Sequence, residues 1–129
     1  MKVQNVFIAT KPKQTEVARV AGQLIDWFKT RNVKASLEPE SAAKADISVV
    51  VGGDGTLLAA ARELGDRQVP ILAINHGGLG FLTEVTMEEM YPALDRVLSG
   101  DFAVEERMMI DVTVSRGSKS IATYRALND

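Results

Sequence analysis

Asp46-Ile47-Ser48-Val49-Val50-Val51-Gly52-Gly53-Asp54-Gly55-Thr56-Leu57-Leu58-Ala59-Ala60-Ala61-Arg62-Glu63-Leu64-Gly65 is the stretch on which the reading of this chain turns. The run from Asp46 to Val51 is β-branched, apolar and of strand length, the pattern of a strand buried on both faces. Three glycines within four residues end it. Leu57 to Leu64 are then strong helix formers, and Gly65 marks their stop. Strand, glycine turn and helix in that order place the turn at the carboxyl edge of a sheet, where open α/β folds bind ligands.

Reading outward, Asn5 to Thr10 predicts another buried strand, ended by Lys11-Pro12-Lys13. Val17, Val20, Ala21, Leu24 and Phe28 recur at helical spacing over about 15–30, leaving Arg19, Asp26 and Lys29 to water. Lys34 to Leu37 reads as a short strand stopped by Pro39, and Val69 to Asn75 as a further strand. Thr86 and Glu89 have capping-box spacing and open a helix that Gly100 ends, with Met90, Leu94, Val97 and Leu98 on its inner side. This alternation predicts an α/β fold, a helix-covered and mainly parallel sheet over residues 1–105. From 106 the pattern changes. Met108 to Ser115 and Lys119 to Leu127 flank Arg116-Gly117-Ser118, which is hairpin chemistry, so 106–129 are expected to be the first strands of a β-rich domain whose remainder lies beyond Asp129.

The chain has 129 residues, one domain or one domain plus a piece of another. It has no cysteine and one histidine, His76, which excludes disulfides, thiolate zinc or iron–sulfur ligation, cysteine nucleophiles and multi-histidine metal sites. The net charge of −2 argues against general nucleic-acid binding. Seven Lys/Arg and two Asp/Glu fall in residues 1–34, against eight and fifteen in 35–129, a split that aims an anionic ligand at the amino-terminal part or only reflects solvated helix faces. The amino-terminal apolar run is too short to span a membrane and lacks a small-residue cleavage site, so a cytoplasmic protein is expected.

The glycines at 52, 53 and 55 let a phosphate approach the backbone, and the helix amino terminus at Thr56 offers free N–H groups. Asp54 is out of place in an anion cradle. It accepts or orients a hydroxyl proton, holds Mg²⁺, or caps the helix. A second glycine segment, Asn75-His76-Gly77-Gly78-Leu79-Gly80-Phe81-Leu82-Thr83-Glu84, also leaves a strand. On a neighbouring strand it would form the opposite wall of one cleft, with Phe81 packing on a flat group such as a purine or simply in the core. His76 reads as a loop residue or a supporting residue rather than a metal ligand.

These two segments, with Ala126-Leu127-Asn128-Asp129, resemble the three motifs of the bacterial NAD kinases. The first motif is shared with diacylglycerol and sphingosine kinases; the second selects NAD kinase. Glu84 stands where Asp is frequent in the family, and Asp129 where Glu is frequent. The resemblance implies transfer of the terminal phosphoryl group of ATP, or polyphosphate, to the adenosine ribose 2′-hydroxyl of NAD, giving NADP. It implies Asp54 as the catalytic carboxylate, Gly55 beside NAD, Phe81 near the adenine, and Asn128 and Asp129 on hydroxyl or base edges. Gly52, Gly53, Thr56 and Lys11, with Lys13, would meet nucleotide phosphates; for the two lysines a solvated loop is equally open. Mg²⁺ or another divalent metal would arrive with ATP rather than in a dedicated cage. The expected partners are NAD and ATP, with no nucleic acid or membrane, and a homo-oligomer at full length. The 129 residues alone are expected to be inactive. A lipid kinase of the same superfamily and a non-catalytic nucleotide-binding module are the competing readings.

Overall fold

The computed structural model describes residues 2–11, 15–76, 85–102, 109–116 and 119–127, the last two stretches by their backbone. Five strands form one parallel sheet: β1 (Asn5–Thr10), β2 (Lys34–Ser36), β3 (Ile47–Gly52), β4 (Ile71–Asn75) and β5 (Val85–Thr86), in the order β2-β1-β3-β4-β5. Three helices accompany them, α1 (Thr15–Lys29), α2 (Asp54–Leu64) and α3 (Met90–Ser99), and β6 (Met109–Arg116) and β7 (Lys119–Leu127) form an antiparallel hairpin. The parallel sheet and the hairpin are those expected from the sequence.

Strand alternation assigns the layers. Val6 and Ile8 of β1 and Ile47, Val49 and Val51 of β3 join the inner stripes of α1 and α3, in a cluster that includes Leu24, Phe28 and Leu94. Phe7 faces the other way and packs with Ala42, Ala45 and Leu64, while Val50 meets Leu57 and Ala60 of α2. All five α1 residues picked out by helical spacing are buried. The single buried polar side chain among the described residues, Ser48, sits in the middle of β3 and donates its hydroxyl proton to the Phe7 carbonyl at 2.9 Å. That bond removes the desolvation cost of a lone hydroxyl.

Several boundaries differ from the sequence expectation, each for a local reason. Leu57 N donates to Gly53 O at 3.1 Å, so the first helical turn closes over Asp54-Gly55-Thr56 and α2 starts at Asp54 rather than Leu57. β4 starts at Ile71 rather than Val69, because Pro70 has no N–H for the ladder and contributes only its carbonyl, which accepts from Ser48 N at 2.9 Å. β2 ends at Ser36 rather than Leu37, where Glu38 N turns back to Ser36 Oγ at 3.0 Å, and Pro39 opens a 3-10 helix over Pro39–Lys44 that periodicity did not reveal. The two-residue β5 was likewise not expected, being short enough to show no pattern of its own.

The reciprocal bonds of the capping box form, but in the turn ahead of α3 and not at its cap: α3 begins at Met90, with Glu89 in the cap position. Glu89 N donates to Thr86 Oγ1 at 3.3 Å, and the Thr86 hydroxyl and amide donate to Glu89 Oε1 at 2.9 and 3.3 Å. Gly65 and Gly100 end their helices with φ of 65° and 83°, a backbone region in which a side chain is strained.

Two outcomes follow. Leu24 is fully buried, so Leu24→Ala is expected to cost about 2–5 kcal/mol in urea unfolding. The hydroxyl of Thr86, then its amide, holds the Glu89 carboxyl below its usual 4.5. A depressed carboxylate stabilises above the unfolded value and loses that contribution as pH falls through the folded one. Wild type should therefore lose α3 stability below about pH 4.5 more steeply than Glu89→Gln, read as melting temperature against pH.

Candidate functional site

The sheet order creates the site. From the middle strands, α1 leaves the end of β1 toward one face and α2 leaves the end of β3 toward the other. Diverging connections open a crevice between β1 and β3 at the carboxyl edge, the switch point at which doubly wound sheets with this strand order take ligands. Thr10 lies beside Val51, and Gly52 beside Asn75. Lys11, Gly52 to Thr56, and Asn75-His76 are thus brought to one edge, as the expectation of two turns on neighbouring strands required. His76 N donates to Gly52 O at 3.0 Å, which ties the exit of β4 to the glycine turn.

Within the turn, Gly53 occupies the cap position with extended backbone (φ −111°, ψ −165°), and Asp54 is the first residue of α2. The capping alternative for Asp54 is corrected accordingly: the carboxylate stands half-buried in the first turn, where the positive pole of the helix favours it, and not at the cap itself.

The glycines differ in what they do for the fold. A Cβ on Gly52 would lie 2.5 Å from Thr56 Oγ1 and 2.9 Å from Thr56 Cβ, so Gly52 is needed for the close approach of the Thr56 side chain. Gly53 and Gly55 would present a Cβ to open space. Glycine in a helix is unfavourable relative to alanine, and no neighbour among the described residues requires it at Gly55. Among the described residues, nothing stands within 4 Å of a Cβ at either position on the two sides of Asp54.

Glu16, in the first turn of α1, was not singled out by sequence reasoning. Its Oε1 stands 3.9 Å from His76 Nε2, so α1 and the β4 exit meet at the same edge. No local signal exists for a pair sixty residues apart. Lys11 is exposed directly after β1. Phe81, Asn128, Asp129, Lys13 and the segment 77–84 lie outside the described residues. Among the described residues, no three metal-ligating side chains converge, and no helix is long and apolar enough to cross a membrane.

Residues 3–102 match the family model of the ATP-NAD kinase N-terminal domain. The chain is 43% identical over 145 aligned residues to the NAD kinase of Citrifermentans bemidjiense, which covers 98% of this chain and 50% of the relative. In fold it is similar to yeast NADH kinase complexed with NADH, with TM-score 0.70 and 20% identity over 98% of this chain and 47% of that one. It is also similar to an NAD kinase from Archaeoglobus fulgidus in complex with ATP, with TM-score 0.63 and 24% identity over 91% and 45% of the two chains. The chain spans about half the length of the curated relatives it matches.

The contrast between glycines is measurable. Gly52→Ala should destabilise by about 1–3 kcal/mol through its clash with Thr56, whereas Gly55→Ala should leave stability unchanged or raise it by up to about 1 kcal/mol. Chemical denaturation of the two variants checks both.

Proposed function

Because the chain belongs to the NAD kinase family, matched through the amino-terminal domain of that family, we propose that it carries the phosphoryl-transfer site for conversion of NAD and ATP to NADP and ADP. The single observation behind this is Asp54: a carboxylate in the first turn of α2, at the switch point, flanked by glycines whose missing side chains leave the space open.

In this reading the adenosine ribose 2′-hydroxyl of NAD attacks the terminal phosphorus of ATP, the bond to the ADP oxygen breaks, and the hydroxyl proton passes to Asp54. A carboxylate accepts strongly from a hydroxyl, and its charge orients the nucleophile before transfer. Gly55 lies against NAD, while Gly52, Gly53, Thr56 and Lys11 serve the phosphates. Phe81 is assigned to the adenine, and Asn128 and Asp129 to hydroxyl or base edges. The divalent metal travels with ATP as part of that substrate. The ATP complex of the Archaeoglobus fulgidus relative supports ATP as donor. Residues 1–105 form the nucleotide-binding domain and 106–129 begin a β-rich domain that completes the NAD site. A cytoplasmic homo-oligomer without nucleic-acid or membrane partners completes the proposal.

The test grafts residues 1–129 in place of the matching half of the Citrifermentans bemidjiense NAD kinase. The chimera should phosphorylate NAD with ATP. Asp54→Asn should lower kcat by about 10²–10⁴-fold with little change in the KM for NAD, the range for lost general-base assistance. Asn retains size and hydrogen bonding but takes no proton. A folded Asp54→Asn chimera with near wild-type kcat would assign Asp54 to the helix pole alone. A folded chimera that binds lipid or nucleotide without turnover would favour the lipid kinase or the binding module.

A further inference from the structure

We propose that His76 binds a phosphoryl oxygen of a phosphate chain, as in a nucleoside triphosphate or an inorganic polyphosphate, and that the Glu16 carboxylate holds that place until the ligand displaces it toward Arg19. Glu16 Oε1 stands 3.9 Å from His76 Nε2 and 3.9 Å from Arg19 Nη2, so one oxygen lies between an imidazole and a guanidinium. Both distances are longer than a hydrogen bond, and the Glu16 and Arg19 side chains are 66% and 67% exposed. Contacts of this kind add little to a fold and exchange readily.

The place of the contact gives it a use. His76 follows β4, and Glu16 lies in the first turn of α1, which follows β1. β3 runs between those two strands, so the contact passes over the carboxyl end of β3, where Gly52 begins the glycine turn. The backbone of His76 is fixed there, because its N–H donates to Gly52 O at 3.0 Å. Its side chain is only 20% exposed, so the ring is held against the sheet edge. Lys11, directly after β1, and Asp54, in the first turn of α2, are the other charged groups brought to this edge.

An Nε2–H donates to a carboxylate oxygen or to a phosphoryl oxygen alike, and most strongly when the acceptor is ionised. The amino end of α1 favours either anion. The helix pole therefore accounts for an acid at Glu16, but gives no reason for a histidine carried to it from the far side of β3. A phosphate chain that reaches His76 meets Glu16 at the same ring nitrogen, and like charges do not share it. Arg19, one helical turn along, takes the displaced carboxylate without any movement of α1. The exchange leaves each charge paired. It rests on the reading that phosphates occupy the carboxyl edge, and adds to that reading a ligand, its competitor and the competitor's destination.

The sequence holds one histidine, so every imidazole signal in the NMR spectrum of the purified protein belongs to His76. Titration with tripolyphosphate, and separately with ATP, at constant pH and ionic strength should move those signals to saturation, while adenosine leaves them in place. Movement with both ligands assigns the phosphate chain as such, and movement with ATP alone assigns the phosphates of a nucleotide. His76→Ala should weaken binding by about tenfold, the loss of one hydrogen bond to a charged group. His76→Gln, which keeps an N–H donor, should lose less. Glu16→Gln should bind severalfold tighter, since no carboxylate has to leave, and the same change made on His76→Ala should gain clearly less. Arg19→Gln should weaken binding in wild type and not alongside Glu16→Gln. The opposite signs at Glu16 and His76 separate the proposal from a fault in folding, which weakens both. Ring signals that stay in place while ligand binds, a wild type that binds neither ligand, a Glu16→Gln variant that binds no tighter, or a gain undiminished on His76→Ala would each overturn it. Binding is read here without turnover. An inactive chimera beside these changes in affinity would sink the catalytic reading and leave this one, whereas an active chimera beside unmoved His76 signals would overturn this one alone.

Discussion

β3 is hydrogen-bonded along both edges, by β1 and β4, and covered on both faces. All six of its residues are buried. A strand in that position has no use for polar side chains, and the one it carries, Ser48, gives its hydroxyl to a neighbouring carbonyl. The glycine turn and Asp54 hang from the end of this strand. Gly52 still belongs to the sheet, and two residues later the chain is helical. Because the body of β3 cannot shift without breaking ladders on two sides, the turn that follows it is held in place, which the role proposed for Asp54 requires.

The opposite edge of the sheet is held by charge instead of packing. Asp46 Oδ2 accepts from the amides of Gln4 and Asn5 at 2.8 and 2.9 Å, and Asp46 N donates back to Asn5 O at 2.8 Å, which aligns the starts of β1 and β3. Arg67 reaches from the loop after α2 to the carbonyls of Ala42 and Ala45, fastening the 3-10 helix. On the α1 side, Trp27 packs edge-on to Phe28 and beside Tyr91 of α3, with the Arg31 guanidinium 3.7 Å above its ring. The amino edge and the two faces are thus closed by side chains, while the carboxyl edge is built of glycine backbone, Lys11 and Asp54. Among the described residues, that asymmetry leaves the carboxyl end of the sheet the less covered one.

Much of this was legible because it depends on short-range rules. The inner stripe of α1, the unbroken apolar run of β3 and the reciprocal bonds of Thr86 and Glu89 each need only a few residues of context. What escaped was what depends on distant partners. Val85 and Thr86 are a strand only because Ile74 and Asn75 lie alongside. Glu16 joins the site only because α1 begins near the end of β4. The start of α2 escaped for a different reason: glycines weigh against helix in any propensity sum, yet a single bond from Leu57 to Gly53 carries the helix back over Gly55.

By itself the sequence determined the longer elements, their alternation, the glycine turn with its misplaced carboxylate and the family to which these point. Periodicity and turn chemistry are local, so they survive in one dimension. The tertiary structure alone decided that β3 lies between β1 and β4, that the crevice opens where α1 and α2 diverge, and that Gly52 serves Thr56 while Gly53 and Gly55 border open space. It decided also that β2, among the described strands, pairs with β1 alone. Strand order and the direction of an amide arise from pairing between residues far apart in the chain, and no local rule encodes them.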